Sequence, residues 1–259
     1  MSSYAIVIGI NHYTPPQRDG LKTLFGAIPD SQKVYDWLIG PGGLPAANCK
    51  LIQSGPDPLT PIKNLIDRAI SDIVRTVVER DNRNADRFYF YFAGHGMGIQ
   101  GDRENNGMCM ADWDEYMRDA ATLSSSEYKR KFINEGLFKE VVMWMDCCRT
   151  TKLFLTPGAS PGVTPIGPND NPAFMVAFAA EFRSEAFEAD QLDQDPRGIF
   201  TSVLLRGLNG DILLRNGGVD AVDLINYLAF HVPVEAQNVG FSQRPEIINN
   251  LNTTQTFNF

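Results

Sequence analysis

Four near-continuous apolar runs constrain this chain more than any other feature: YAIVIGI at 4–10, FYFYFA within 87–93, VVMWM within 139–146 and AFMVAFAA at 173–180. A strand that is apolar on both faces must be covered on both faces, as in a mostly parallel sheet held between two layers of helices. The intervening segments read as helices. One is expected from about Pro29 to Ile39, closed by the Gly40-Pro41-Gly42-Gly43 breaker, with CKLIQ (49–53) as a short second strand after it. The clearest helix has Thr60 as N-cap and Pro61 at N1, after which Ile62, Leu65, Ile66, Ala69, Ile70, Ile73, Val74, Val77 and Val78 hold one apolar face as far as Arg80. Further helices are expected near 124–136 and over 200–208. A last long helix opens at Asp220 and Asp223 in a capping-box-like arrangement, and a terminal strand lies near 245–249. The stretch 102–106 reads as a polar loop. Residues 155–172, with five prolines and three glycines, read as a mobile loop able to flank or cover a cleft. The expectation is one α/β domain over 1–259, a three-layer sandwich around a mostly parallel, roughly six-stranded sheet. At 259 residues and 43% hydrophobic content the chain can bury such a core.

Charge narrows the partners. A net charge of −8 and a pI near 4.9 repel nucleic acid and anionic membrane surfaces, and attract basic peptides. No apolar run is long enough for a membrane span, and MSSYAIVIGI lacks the basic start of a signal sequence. Four cysteines, two of them adjacent at Cys147 and Cys148, form no disulfide framework, so a reducing, cytoplasmic setting is expected.

Chemistry concentrates at two strand ends. RFYFYFAGHG places His95 just past one buried run, and VVMWMDCCRT places Cys148 just past another. At the carboxyl ends of two parallel strands a thiol and an imidazole meet across a crevice. Either residue by itself is more often a loop histidine or a small core thiol; the pairing is what carries the signal. Cys147 is the rival nucleophile. On an extended segment adjacent side chains point opposite ways, and Cys147 reads as structural. His12 and His231 read as packing or surface residues, and Cys49 and Cys109 lack the spacing of zinc ligands. Gly96 to Gly101 matches GxGxxG after a strand, but no helix follows to face a pyrophosphate, so a dinucleotide loop fails on context.

These residues resemble the caspase and metacaspase family of cysteine peptidases nearly end to end. Ala93-Gly94-His95-Gly96 and Asp146-Cys147-Cys148-Arg149 are similar to the family's His-Gly and Asp-x-Cys strand ends. TLFGAIPDS resembles the opening of the metacaspase first helix, GIFTSVLLRGL the late helix and SQRPEI the final strand. The resemblance implies the caspase-haemoglobinase fold and a Cys148–His95 dyad, with an oxyanion hole made by the backbone N–H groups of Cys148 and Gly96. A glycine at 96 also leaves room for a substrate backbone. Animal caspases cut after aspartate using an Arg and a Gln where this chain has Leu24 and Asp146. Asp146, with Asp30 at the acidic S1 position of metacaspases, implies Arg or Lys at P1, because two carboxylates suit one cation. Asp30 reads equally well as a helix-start residue.

The function expected is therefore that of a bacterial or other non-animal endopeptidase acting as a monomer on polypeptides with basic P1 residues. It requires no cofactor and is open to activation by an upstream protease or to self-cleavage at Lys129-Arg130-Lys131. A catalytically silent interaction module of the same fold, a nucleotide-binding protein and a small-amide hydrolase are the alternatives. Calcium is a further possibility, with Asp102, Glu104, Asp112 and Asp114 as candidate ligands, against the reading of a solvated acidic loop.

Overall fold

The computed structural model describes residues 2–80, 83–152, 162–189, 197–214, 218–252 and 257–259. Its central sheet contains β1 (Tyr4–Gly9), β2 (Cys49–Gln53), β3 (Ala85–Ala93), β7 (Phe138–Asp146), β9 (Ala173–Phe178) and β10 (Glu246–Asn249), in the order β10-β9-β7-β3-β1-β2. All neighbours pair in parallel except β10, which runs antiparallel on one edge. Helices α1 (Ala27–Ile39), α4 (Ile199–Arg206) and α5 (Ala221–Asn238) cover one face, and α2 (Lys63–Glu79) and α3 (Ser125–Asn134) the other.

Side-chain alternation assigns the two cores. Ile6, Ile8, Phe88, Phe90, Phe92 and Met143 pack with Ile66, Ile70, Ile73 and Val77 of α2 and Tyr128 and Phe132 of α3. Ala5, Val7, Tyr89, Tyr91, Val142 and Trp144 pack with Val34, Trp37 and Leu38 of α1 and with Val203, Leu204, Leu224 and Leu228. The three central strands are buried on both sides, as their uninterrupted apolar composition requires.

Two expectations need correction. Helix α2 starts at Lys63 with Ile62 as N-cap, not at Thr60 and Pro61. Leu59–Thr60 pairs with Gly55–Pro56 in a small hairpin, which holds Thr60 extended and outside the helix. The stretch 102–106 is not a loop but the start of β5 (Asp102–Cys109), paired antiparallel with β4 (Gly96–Ile99) on one side and β6 (Thr122–Ser124) on the other. Tertiary pairing overrides low strand propensity here: the buried Asn105 accepts bonds from Ser124 Oγ at 3.0 Å and Ser126 N at 3.2 Å. The short β8 (Thr151–Lys152) pairs with β4 in parallel and completes this second sheet. Of the loop expected over 155–172, residues 153–161 lie outside those described; 162–172 is irregular and anchored to the end of α3, with Ile166 and Gly167 N–H groups donating to Glu135 O.

Candidate active site

The register of β3 against β7 sets the geometry. Ala93 lies opposite Asp146, so His95 and Cys148 each stand two residues beyond a matched pair, at the same height over adjacent central strands. The Gly94 N–H donates to Asp146 O at 3.2 Å and ties the two ends together. Both side chains line one cavity of about 440 Å³ with Asp30, Asp146, Glu185, Ala186, Phe187, Glu188, Lys22 and Leu24.

The imidazole is held by main chain. His95 Nε2 lies 2.8 Å from the Lys22 carbonyl, and a carbonyl oxygen only accepts, so Nε2 carries the proton and Nδ1 keeps the lone pair. Burial lowers the His95 pKa, partly offset by that bond. Cys148 is half-buried, and burial pushes its thiol up, opposed by a bond from Ala186 N–H and reinforced by Glu185, Asp146 and Glu188. Both shifts favour the neutral forms, a thiol for Cys148 and an imidazole for His95. Cys148 Sγ accepts from Ala186 N at 3.3 Å and donates to Ala186 O at 3.4 Å. Cys147 points the other way into the core, where Asn106 Nδ2 donates to its sulfur at 3.0 Å, and burial drives its pKa well up. Gly96 is required by crowding: a Cβ there would stand 2.6 Å from Cys148 O and 2.7 Å from Cys147 Sγ. That crowding comes from the Cys147–Cys148 segment just past β7.

The two aspartates lie close together at Gly198, and Asp30, although in the first turn of α1, makes no cap bond to that helix. Asp30 lies in α1, 2% exposed, and its Oδ2 accepts from Gly198 N at 2.6 Å; among the described residues Oδ1 has no partner. Asp146 ends β7, and its Oδ2 accepts from Thr201 Oγ1 at 2.6 Å and Thr201 N at 3.1 Å, at the start of α4. A Cβ on Gly198 would collide with both carboxylates. Burial pushes Asp146 up to about 6, and burial together with the Asp146 charge pushes Asp30 well up. A third carboxylate was not visible as a site residue in the sequence. Glu188 accepts from Gly26 N at 2.8 Å and Phe25 N at 3.3 Å, and so ties down the turn that leads into α1 from across the cavity. No spacing marks Glu188, and Lys22 acts through its backbone, where residue type carries no signal.

The calcium candidates do not converge. Asp102 and Glu104 sit on β5, Glu104 pairs with Lys129, and Asp112 and Asp114 lie beyond the strand. No cluster of three or more His, Cys, Asp or Glu side chains suited to a metal occurs among the described residues. Lys129-Arg130-Lys131 lies within α3, and Lys131 is buried against Glu135, while Gly96–Ile99 forms a strand and hairpin rather than a phosphate loop.

A mostly parallel sheet that delivers a thiol and an imidazole from adjacent strand ends defines a caspase-type cysteine peptidase domain. The chain belongs to the caspase domain family, Peptidase C14, whose model matches residues 2–257. A curated relative from a Desulfuromonadales bacterium, described as a probable protease, is 28% identical over 230 residues, covering 81% of this chain. The match takes in 26% of that protein, so the chain spans about a quarter of its length. A protein from Geobacter sulfurreducens superposes with a TM-score of 0.61 at 10% identity, covering 98% of this chain and 96% of the other. Caspase-1 from Spodoptera frugiperda superposes with a TM-score of 0.61 at 15% identity, covering 98% and 88%. At these identities the two structures speak to the fold. No helix among the described residues is long and apolar enough to cross a membrane.

Proposed function

We propose that this chain is a cysteine endopeptidase that hydrolyses the peptide bond after Arg or Lys through Cys148 and His95. The observation that carries the reading is the Oδ1 of Asp30, which has no partner among the described residues and is buried beside Asp146 in the cavity that also holds the thiol and the imidazole. A buried acceptor without a donor is costly, and a guanidinium or ammonium entering the cavity supplies the donors.

In this reading the resting neutral pair reacts in steps. As Sγ attacks the scissile carbonyl, Nδ1 takes the thiol proton, and the imidazolium formed is steadied by the Lys22 carbonyl on Nε2–H. The carbonyl oxygen becomes an oxyanion received by the N–H groups of Gly96 and Cys148. Nδ1–H then protonates the departing amine and leaves a thioester on Cys148. Water, deprotonated by the same nitrogen, cleaves the thioester and returns the thiol. Action as a cytoplasmic monomer, released by an upstream protease, belongs to the same reading; the four free cysteines suit a reducing compartment.

The test is hydrolysis of matched fluorogenic peptides with Arg, Lys, Asp or Leu at P1 by the wild type and Cys148→Ala. Cleavage after Arg and Lys that is lost in the variant is expected. Cleavage confined to Asp or Leu overturns the acidic pocket, and activity surviving in Cys148→Ala overturns the nucleophile.

A further inference from the structure

The thiol of Cys148 is engaged with the Ala186 peptide in the resting site, so the order of the imidazole rests on other contacts. One connection, between β1 and α1, grips it at two points. Lys22 O takes Nε2–H. Tyr13, 4% exposed, accepts the His95 main-chain N–H on its phenol oxygen at 2.8 Å, and its ring meets the imidazole edge-on with centroids 4.8 Å apart at 61°. The connection is itself fixed, with Thr14 N donating to Ala111 O at 2.9 Å, Leu21 N to Thr14 O at 2.8 Å and Leu24 N to Asn11 O at 2.9 Å. The fit around the phenol is close: a Cβ on Gly94 would stand 2.5 Å from its oxygen.

We propose that Tyr13 is a positioning residue for the dyad: through the hydrogen bond to the His95 main chain and the ring contact with the imidazole it holds Nδ1 where it meets the Cys148 thiol. The proposal rests on the dyad reading above. Burial drives the phenol pKa well up, so the oxygen stays a neutral acceptor across the working range. Without the phenol oxygen, the His95 N–H loses its acceptor and the strand end that carries the ring loosens. Without the ring, the imidazole gains rotamers that point Nδ1 away from the sulfur. Sub-ångström misplacement of a reacting group is enough to slow a reaction tenfold or more.

The experiment compares wild type, Tyr13→Phe and Tyr13→Leu on an Arg-P1 peptide and in alkylation of Cys148 by iodoacetamide across pH, below the melting transition and on protein shown folded by near-UV circular dichroism. The other titratable groups facing the dyad and the phenol, Asp30, Asp146, Glu185, Glu188, Lys22 and the buried thiols Cys147 and Cys109, are left in place, and alkylation is assigned to Cys148 by its loss in Cys148→Ala. Tyr13→Phe is expected to lower kcat about tenfold with KM within twofold, and Tyr13→Leu about a hundredfold. Both are expected to shift the pH profile of alkylation, which reports the imidazole beside the thiol. A Tyr13→Phe protein with wild-type kcat and a wild-type alkylation profile overturns the proposal. So does a loss of kcat that only tracks a loss of folded protein. If the wild type ignores basic-P1 peptides, the function reading fails while the alkylation comparison still decides the role of Tyr13.

Discussion

Asp146 opposes folding, and on the proposed function the same carboxylate serves binding. Its carboxyl is pushed up to about 6 from an ordinary 3.8 because burial disfavours the charge, and the Thr201 bonds only partly offset this. A group whose folded pKa is raised stabilises the protein at pH values below its unfolded pKa, and that contribution is lost as pH rises through the folded pKa. At pH 7 to 8 the ionised Asp146 beside Asp30 is therefore a strain on the fold. Asp146→Asn retains an oxygen for Thr201 and removes the charge, so it is expected to stabilise the protein by on the order of 2 kcal/mol at pH 7 to 8. The gain should fade as pH falls through 6 and vanish below about 4, which thermal melts of both proteins across pH would show. The same variant should raise KM for Arg-P1 peptides at least tenfold, because half of the anionic receptor is gone. A variant that is both less stable at pH 7 and unchanged in KM would contradict the account.

Between elements, the residue after Cys148 does the joining. Arg149 is fully buried, with its guanidinium 4.0 Å over the Phe178 ring and Nη1 bonded to Glu246 Oε2 at 2.7 Å. Nη2 donates to Arg103 O on β5, and the backbone N–H donates to Ser184 O at 2.8 Å. Glu246 in turn accepts from Arg103 Nε at 2.9 Å and Phe182 N at 3.1 Å. The edge strand β10, the second sheet and the segment that carries Ala186 and Glu188 therefore meet on one buried cation. Glu246→Gln leaves that cation uncompensated and is expected to cost about 3 kcal/mol in denaturant unfolding. Arg149→Met with Glu246→Gln together should cost less than Glu246→Gln alone, since no buried charge is then stranded. If the double variant is the worse of the two, the network stabilises in some other way.

For the whole molecule, the proposed function implies that the net charge of −8 and the four carboxylates of the cavity draw cationic peptides toward the cleft at long range. kcat/KM for a substrate with several basic residues is expected to fall severalfold as ionic strength rises from about 0.02 to 0.2 M, while alkylation of Cys148 by a neutral reagent stays constant. Equal salt effects on both would place the cause in folding. Much of this architecture was legible in the chain. The apolar runs from β1, β3, β7 and β9 have no amphipathic face to show water, so they demanded a covered parallel sheet, and the His95 and Cys148 strand ends followed from where those runs stop. Strand β5 was not legible, because its Asp102-Arg103-Glu104-Asn105-Asn106 opening has no strand propensity and is extended through pairing with β4, while β6 pairs with Gly107–Cys109 further along. Asp30 was legible by resemblance, but its bond to Gly198, 168 residues away, was not. Local physics, namely hydrophobic pattern and strand termination, lets the sequence by itself determine the layers and the placement of His95 and Cys148 at neighbouring strand ends. Only the tertiary structure decided the hold of Glu188 on the turn into α1, the grip of Lys22 and Tyr13 on the imidazole, and the shared carboxylate pocket, because those contacts join backbone and side chains that no local pattern relates.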